Sequence, residues 1–344
     1  MSTTTDPVTA QSEVAKPAGQ QVASRSAFGL FWSRFREDKV ALFGAIVSEQ
    51  RATLRCGVEL VKLEGSSLVD SRGARHGSFD LIVISDGARS KLRDQLGVRT
   101  RAKGYPYGAL WFVADDPERR FRDELFQIVK GTKRLFGLLP TGLGPGESAT
   151  HKVSIFWSLR ADELEGWRSA GLSPWKDEIL SWAPQAEGAL AQISKPEQVL
   201  FSTYQDVVME QWHKANVVVL GDAAHAMSPQ LGQGCNLALM DAQALADAVE
   251  RSVDVPSALA LYSESRREHL AWYQFATRWL TPLFQSDWPM VGALRDALMG
   301  WSCRVPFIGQ QMVESMCEVS MGPLLPSLPL PTLHDDASGN GAAR

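Results

Sequence analysis

The sequence has no run of about 18 apolar residues, the length that a helix needs to cross a bilayer, so no complete membrane span is expected. It also lacks an excess of positive charge, since 35 Lys and Arg stand against 39 Asp and Glu, for a net charge of −4. Nucleic acid is therefore not an expected partner. Cysteine is scarce too: the 344 residues include four, widely separated and with no C-x-x-C pair. This pattern argues against structural zinc and fits a reducing cytoplasm.

One stretch, residues 217–241, combines features that point to a ligand site, and it reads VVVLGDAAHAMSPQLGQGCNLALMD. Its β-branched start predicts a short buried strand, which Gly221 ends. Asp222 follows at the carboxyl end of the strand, where α/β sheets place their ligands. From Gly234 the apolar spacing predicts a helix, whose first N–H groups and positive dipole end suit a flat or anionic ligand. On spacing alone, an ordinary connector between a strand and a helix is the alternative.

A second stretch, residues 81–93, repeats this arrangement with the sequence LIVISDGARSKLR. Its first four residues predict a buried strand, and Asp86 and Gly87 follow directly. A carboxylate at this position would accept a hydrogen bond from a sugar hydroxyl, while Ser90 and Arg93 are donors for a phosphate. A capped turn between a strand and a helix is the alternative interpretation.

Together the two stretches resemble the D-G and G-D motifs of single-component FAD-dependent monooxygenases of the para-hydroxybenzoate hydroxylase type. The motifs stand in that family's order and at about its separation, and the resemblance runs from Arg51 to Arg267. It implies that FAD is the cofactor, that NAD(P)H reduces it, and that O2 and an aromatic or related small molecule are the substrates. The cofactor carries such chemistry, and the protein supplies orientation and exclusion of water. A cytoplasmic enzyme is expected.

The resemblance also assigns roles to individual residues. Asp222 would bind the ribityl chain of the flavin, and Pro229 would lie beside its ring. The backbone from Gly232 to Asn236 would stabilise negative charge on the reduced flavin, while Asp86 and Gly87 would approach the ribose and pyrophosphate with Arg93 nearby. The predicted cofactor-binding residues are Asp86, Gly87, Arg93, Gly221, Asp222, Pro229, Gly232, Gln233, Gly234, Cys235 and Asn236. No catalytic side chain and no metal ligand is assigned; His225 is interpreted as structural and Cys235 as a small packed residue.

Between the motifs, four β-rich runs separated by Gly and Pro turns predict an antiparallel sheet, at residues 107–114, 126–129, 134–139 and 152–159. A helix broken at Pro184 is predicted over 174–193, and residues 199–209 are predicted to return as a strand to the first domain. By the resemblance, the sheet would roof the substrate cavity. The aromatic residues that are candidates to face an aromatic substrate are Trp111, Phe136, Phe156, Trp157 and Phe201.

The predicted fold class is α/β: an incomplete, Rossmann-like FAD-binding domain with a parallel sheet, an inserted antiparallel-sheet substrate domain, and C-terminal helices. The expected divisions are a tail at 1–24, an amphipathic segment at 25–47, the FAD-binding domain at 48–104 and 200–285, the substrate domain at 105–199, helices at 286–322 and a tail at 323–344. The FAD-binding domain is expected to be incomplete because the sequence has no G-x-G-x-x-G motif, the element that holds the ADP half of FAD. Impaired activity is expected as a consequence.

The N-terminal segment has a different character. Residues 24–47 place Phe28, Phe31, Trp32 and Phe35 on one helical face with basic residues beside them, a pattern suited to contact with a membrane surface. The segment resembles the cytoplasmic N-terminus of oligopeptide and dipeptide ABC transporter permease subunits; an amphipathic helix docked on the domain is the alternative. Two rival interpretations of the chain follow: a non-catalytic chimeric or membrane-peripheral protein, and a translated gene fragment without function.

Overall fold

The computed structural model describes residues 52–122, 124–143, 150–302 and 304–316. The predicted amphipathic segment at 25–47 and both predicted tails lie outside these residues. The described part is a mixed α/β structure with two three-stranded sheets, one five-stranded antiparallel sheet and C-terminal helices. The coarse prediction of the fold is thereby confirmed.

A three-stranded antiparallel meander comes first, formed by β1 (Leu60–Glu64), β2 (Ser67–Asp70) and β3 (Arg75–His76). Asp70 holds the turn before β3, because its Oδ1 accepts hydrogen bonds of 2.9 Å from the backbone N–H groups of Arg72 and Ala74. A side chain that satisfies two turn amides fixes the turn. After the meander, the predicted strand is β4 (Ile82–Ile84), which is buried at Ile82 and Ile84 but exposed at Val83. The short helix α1 (Lys91–Asp94) follows it.

The five-stranded sheet consists of β5 (Thr100–Asp115), β6 (Phe126–Lys130), β7 (Arg134–Leu143), β8 (His151–Arg160) and β9 (Leu200–Met209). Its order is β6-β7-β8-β5-β9, and every pairing is antiparallel. The antiparallel sheet predicted between the two motifs is thus confirmed.

Short helices between β8 and β9 cover one face of this sheet: α2 (Leu164–Ala170), α3 (Leu172–Trp182) and α4 (Glu187–Leu190). The core beneath them includes Phe136, Trp157 and Ile179. The break predicted at Pro184 is present, because this proline starts a 3-10 turn between α3 and α4 and its ring nitrogen cannot continue the hydrogen bonds of a helix.

The strand predicted over 199–209 is present as β9, and it pairs with β5 of the antiparallel sheet from Leu200 to Met209. Its second half nevertheless carries Val207 and Met209 into a second core, which also contains Ile82 and Val219. Strand β9 therefore contributes to both cores, because Phe201 in its first half packs against the core under α3.

The small sheet that contains β4 is completed by β10 (His213–Lys214) and β11 (Val217–Val219), in the order β10-β11-β4. Strands β11 and β4 are parallel, with Val218 opposite Val83. All three residues of β11 are buried, as their β-branched sequence without alternation predicts.

The remaining helices are α5 (Asp222–His225), α6 (Gly234–Arg251), α7 (Val255–Phe284), α8 (Pro289–Ser302) and α9 (Pro306–Met316). Asp254 caps α7, because its carboxylate accepts a 2.8 Å hydrogen bond from the N–H of Ser257. Helices α6 and α7 cover β11 through Leu245, Leu259 and Tyr262. No helix in the described part of the chain combines the length and apolarity that a bilayer span requires.

Candidate functional site

The two predicted loops lie at the same edge of the small sheet. Because β4 and β11 are parallel and Ile84 stands opposite Val219, their carboxyl ends coincide. The N–H of Leu220 extends the pairing by donating to the carbonyl of Ile84 over 2.9 Å. Ligands of α/β sheets bind outside such carboxyl ends. The two loops predicted from the sequence therefore meet at the carboxyl ends of β4 and β11, where a ligand is expected.

The loop after β4 exposes an acidic side chain and a stretch of backbone. Asp86 is exposed, and Gly87 has a φ of 91°, which side chains rarely allow. No described atom lies within 4 Å of the position that a Cβ on Gly87 would take. Ser90 ends the loop by capping α1, since its Oγ accepts a 3.0 Å hydrogen bond from the N–H of Arg93. The capped turn and the open loop are thus both present.

Arg93 joins the two loops from beneath. Its side chain is 3% exposed, and its Nη1 donates hydrogen bonds of 3.0 Å to the carbonyls of Ala88 and Ala223. Ala88 belongs to the loop after β4, and Ala223 belongs to α5, the short helix in the segment that follows β11. The guanidinium is therefore directed at protein oxygens, and Arg93 positions the loops relative to each other.

Gly221 allows the loop after β11 to approach α6 closely. Its φ is 56°, and a Cβ placed on it would stand 3.1 Å from the Cβ of Ala238. Asp222 follows at the start of α5 and keeps access to solvent. Protein atoms packed around its carboxylate raise the pKa of Asp222 above the usual range, and the nearby charge of His225 partly offsets this. A hydrogen bond from a ligand hydroxyl would stabilise the charged form.

The start of α6 lies beside this carboxylate. A Cβ on Gly234 would stand 3.6 Å from the Oδ1 of Asp222, so the glycine leaves room between the two. Gln233, the residue before the helix, provides no side-chain cap, so the first amides of this 18-residue helix are available to a ligand. The predicted residues that are exposed around the helix start are Pro229, Gly232, Cys235 and Asn236.

Gln233 and Cys235 are placed differently from each other. Gln233 is 7% exposed; its Nε2 donates to the carbonyl of Leu231 over 3.2 Å, and its Oε1 accepts from the Nδ2 of Asn236 over 2.9 Å. It therefore shapes the loop.

Cys235 is exposed, so its interpretation as a packed residue is wrong. The reason is helical geometry, because the face of α6 that points inward is defined by Leu237 and by residues one turn further on.

A buried charged network lies under the loop after β11. Asp241 is 0% exposed. Its Oδ2 accepts a 3.0 Å hydrogen bond from the N–H of Gly221 and lies 2.5 Å from the Nε2 of His225. Its Oδ1 accepts a 2.8 Å hydrogen bond from the Nε of Arg266. Burial alone would raise the pKa of Asp241, but the hydrogen bonds and charges of His225 and Arg266 outweigh it and hold the pKa below its usual range. Arg266 Nη1 also contacts the Nδ1 of His269 at 2.7 Å.

This network confirms that His225 is structural, since the residue is 2% exposed and bound to Asp241. The pairing of Asp241 with Arg266 is not predicted from the sequence. A signal was present at Asp241, because an acidic residue stands there on the apolar face of a predicted helix, four residues from both Leu237 and Leu245. A charge at such a position needs a buried partner.

The far end of the same loop is attached to the end of α7. Ser228 Oγ and Thr281 Oγ1 are 2.5 Å apart, and Gln230 Nε2 donates to Gln285 Oε1 over 3.1 Å. Pro229 lies between these two anchored residues, so its position is set by α7. The loop is therefore fixed at both ends while its middle stays exposed.

The five aromatic candidates do not form one surface. Phe136 lies opposite Trp157 in the sheet, and both are buried in the core under α3, at 0% and 2% exposure. They are interior residues, and the prediction that they face a substrate is wrong for these two. Trp111 lies opposite Phe156 in a separate stack, with ring centroids 5.9 Å apart. Neighbouring residues of a strand point to opposite faces, so this second stack is on the other face of the sheet.

Residues 68–273 match the family described as FAD binding domain. The match covers more than half of the 344 residues, so the chain belongs to this family of FAD-binding domains. The family inferred from the D-G and G-D motifs is thereby confirmed.

Two curated relatives are monooxygenases by name. The chain is 30% identical over 194 residues to the putative FAD-dependent monooxygenase YetM of Bacillus subtilis, which covers 54% of this chain and 49% of that protein. It is 29% identical over 250 residues to the 3-hydroxy-4-methyl-anthranilyl-[aryl-carrier protein] 5-monooxygenase of Streptosporangium sibiricum, with 70% of this chain and 63% of that protein covered. The chain thus spans between about half and two thirds of these relatives.

Solved structures show the same fold. The chain superposes on HpxO from Klebsiella pneumoniae, solved with FAD and uric acid, with a TM-score of 0.63, 18% identity, and coverage of 84% of this chain and 72% of that one. For 2-methyl-3-hydroxypyridine-5-carboxylic acid oxygenase the TM-score is 0.56 with 21% identity, over 70% of this chain and 66% of that one.

Proposed function

We propose that the chain carries the flavin-side half of an FAD-dependent monooxygenase that hydroxylates an aromatic or related small molecule. The observation that carries this proposal is the pair of loops at one edge of a parallel strand pair, with the buried Arg93 binding a carbonyl of each. Relatives named for anthranilyl and quinolone compounds support an aromatic substrate. NAD(P)H and O2 are the proposed co-substrates, and the cytoplasm is the proposed location.

The residues present fit a flavin. Asp222 offers a carboxylate to the ribityl hydroxyls, and Pro229, held between Ser228 and Gln230, offers a flat apolar edge beside the ring. The amides at the start of α6 and the positive end of its dipole would stabilise negative charge on the ring. Asp86 and the open backbone at Gly87 are left for the ribose and pyrophosphate. Bound FAD would supply the redox chemistry that activates O2, and no side chain is assigned as acid, base or nucleophile.

We propose further that the FAD-binding sheet of this chain is incomplete on the β4 side. The sequence has no G-x-G-x-x-G motif, and β4 is the last strand of its sheet among the described residues. Val83 of β4 is 43% exposed, whereas Val218 opposite it is 0% exposed. Parallel sheets are normally covered on both faces by helices. The chain alone would then hold the flavin end of FAD and leave the adenine end without a partner.

Titration of the purified chain with FAD and with FMN tests both proposals, with flavin fluorescence and absorbance as readouts. The proposal predicts saturable binding of both compounds, with FAD favoured by no more than about tenfold, because the shared flavin and ribityl part makes most of the contacts and Asp86 and Gly87 alone remain for the ribose and pyrophosphate. Asp222→Ala should weaken both by about tenfold, through loss of a hydrogen bond to a charged group worth about 1.5 kcal/mol. Asp247→Ala, on the exposed side of α6, is the matched control.

Absence of saturable flavin binding would contradict the monooxygenase proposal. A preference for FAD over FMN of a hundredfold or more would instead contradict the incomplete sheet, because it would mean that the adenine end is bound. Hydroxylation itself is tested with NAD(P)H oxidation in the presence of aromatic acids, phenols and quinolones.

The membrane-peripheral alternative, with its permease-like N-terminus, depends on residues 25–47, which lie outside the described residues. It stays a proposal that lipid flotation tests directly. Loss of flotation on Phe31→Ser with Trp32→Ser would favour it, and absence of flotation of the unaltered chain would exclude it.

A further inference from the structure

Helix α7 carries a row of aromatic side chains on a face that its core contacts do not use. Trp272, Phe275 and Trp279 follow one another at the i, i+3, i+7 spacing, which places them on one side of the helix. The ring centroids of neighbouring members are 6.0 Å apart in both pairs. Phe275 is 51% exposed and Trp279 is 69% exposed, so much of each ring is open to a partner. These three residues are called the aromatic row below.

The last described helix ends beside this row. Helix α9 ends at Met316, and the carbonyl of Ser315 accepts a 3.0 Å hydrogen bond from the hydroxyl of Tyr273, the residue next to Trp272 in α7. The 28 residues from 317 to 344 lie outside the described residues. They follow directly from this attachment point on α7.

The sequence after α9 suits an aromatic surface. Residues 319–333 include no charged side chain, and residues 323–331 read PLLPSLPLP. Pro323, Pro326 and Pro329 recur at every third residue, which is the repeat of the polyproline II helix. The repeat predicts an extended segment with prolines along one edge and leucines along the next. Aromatic surfaces bind such segments well, because the backbone is already ordered before binding.

The lengths of the segment and of the row are compatible. Met316 and Pro323 are seven residues apart in the sequence, and an extended chain of that length reaches about 23 Å. Trp272 and Trp279 are about 10 Å apart along the helix axis. The stretch from Pro323 to Pro331 spans about 25 Å as a polyproline II helix, so it is long enough to cover the whole row.

The predicted amphipathic segment at 25–47 is less well placed to occupy the row. It joins the described chain ahead of β1, where Nη1 of Arg55 lies 3.4 Å from Nδ1 of His76 in β3. Only the C-terminal segment follows from a residue that is bound to α7. The connections of the chain therefore favour the C-terminal segment.

We propose that residues 323–331 bind along the aromatic row of α7 as a polyproline II segment of the same chain. The prolines and leucines of the segment pack against the rings of Phe275 and Trp279, and they cover apolar surface that the described residues leave exposed. The contact does not involve the flavin loops, so this inference stands or falls separately from the proposed function.

Photo-cross-linking of the full chain tests the proposal, with p-benzoylphenylalanine in place of Leu328 and peptide mass spectrometry as the readout. Most cross-links should join position 328 to the α7 peptides that contain Phe275 and Trp279. The same probe in place of Ala342, which lies beyond the uncharged stretch, is the matched control and should give no preferred partner. A mixture of ¹⁵N-labelled and unlabelled chain distinguishes cross-links within one molecule from cross-links between two.

Substitutions on each partner should lower the yield of these cross-links. Phe275→Ser with Trp279→Ser removes two exposed rings, and the yield should fall by about tenfold. Pro326→Gly with Pro329→Gly leaves the described residues unaltered, and the yield should fall by about threefold because glycine frees the backbone that proline fixes.

Three results would overturn the proposal. The first is a spread of cross-links from position 328 like that from position 342, or their concentration outside α7. The second is cross-linking chiefly between differently labelled chains, which would make a second copy the occupant. The third is a yield that neither pair of substitutions lowers.

Discussion

The two parallel strands of the candidate site differ in how completely the protein surrounds them. Val218 of β11 is 0% exposed under α6 and α7, and the loop that follows β11 is bound through Gly221 to the buried Asp241. Val83, directly opposite on β4, is 43% exposed, and its strand ends the sheet among the described residues. Among the described residues, helices thus cover the β11 side at Val218 and leave the β4 side exposed at Val83.

Under the proposed function, this difference bears on which end of the cofactor the chain holds more firmly. A rigid loop needs no ordering when a ligand binds, so its contacts convert more fully into affinity. The loop after β11 has this property because both of its ends are anchored, at Gly221 and at Ser228. The loop after β4 depends on Arg93 and on the cap at Ser90. Substitutions on the two sides are therefore expected to act separately.

The largest effect is expected for Arg266→Ala, which removes a partner of the buried Asp241. Leaving one charge of a buried pair without its partner costs about 3–5 kcal/mol, so the free energy of unfolding in urea should fall by that amount. Arg267→Ala is the adjacent control: Arg267 is exposed and lies 6.0 Å from the centre of the Trp212 ring, a contact worth about 0.5–1 kcal/mol. Equal losses in the two variants would show that the network does not fix the β11 side.

The next effect is a dependence of stability on pH that originates in Asp241. Its pKa is lower in the folded chain than the usual value of about 3.9, so the folded state favours the charged form. The stabilisation is fully present above the unfolded pKa and is lost as the pH falls through the folded pKa. The difference in unfolding free energy between the unaltered chain and Asp241→Asn should therefore shrink on acidification below about pH 4. A difference that stays constant from pH 7 to pH 3 would contradict this assignment.

Arg93→Ala should have a smaller effect on stability and a clear effect on flavin binding. It removes two hydrogen bonds from a buried guanidinium to backbone carbonyls, at a cost of about 1.5–3 kcal/mol. Because it also releases the two loops from each other, FMN affinity should fall by about tenfold. Arg99→Ala, which alters an exposed pair with Glu210, is the control. Unchanged FMN affinity in Arg93→Ala would mean that the loops hold their positions without this bridge.

Local signals in the sequence predicted the parts of this site that depend on neighbours along the chain. The β-branched run of β11, the turn glycines and the start of α6 each follow from a few consecutive residues. The network of Asp241 with Arg266 does not, because 25 residues separate its members and their meeting depends on how α6 packs on α7. For the same reason, neighbouring residues do not predict the hydrogen bond from Arg93 to Ala223, which is 130 residues away. They also do not predict that the two halves of β9 belong to different cores.

The smallest effect is expected for valine-to-alanine substitutions at Val218 and Val83, which stand opposite each other on β11 and β4. Because the residue type is the same, the two substitutions compare the cover of the two strands directly. Val218→Ala removes two methyl groups from a fully buried position, which should cost about 2 kcal/mol. Val83→Ala, on the exposed side, should cost less than about 1 kcal/mol, mostly through β propensity. Equal costs would mean that β4 is covered in solution as β11 is, by a segment or partner outside the described residues. In that case the β4 side of the site would be complete, and FAD should then be favoured over FMN by more than about tenfold.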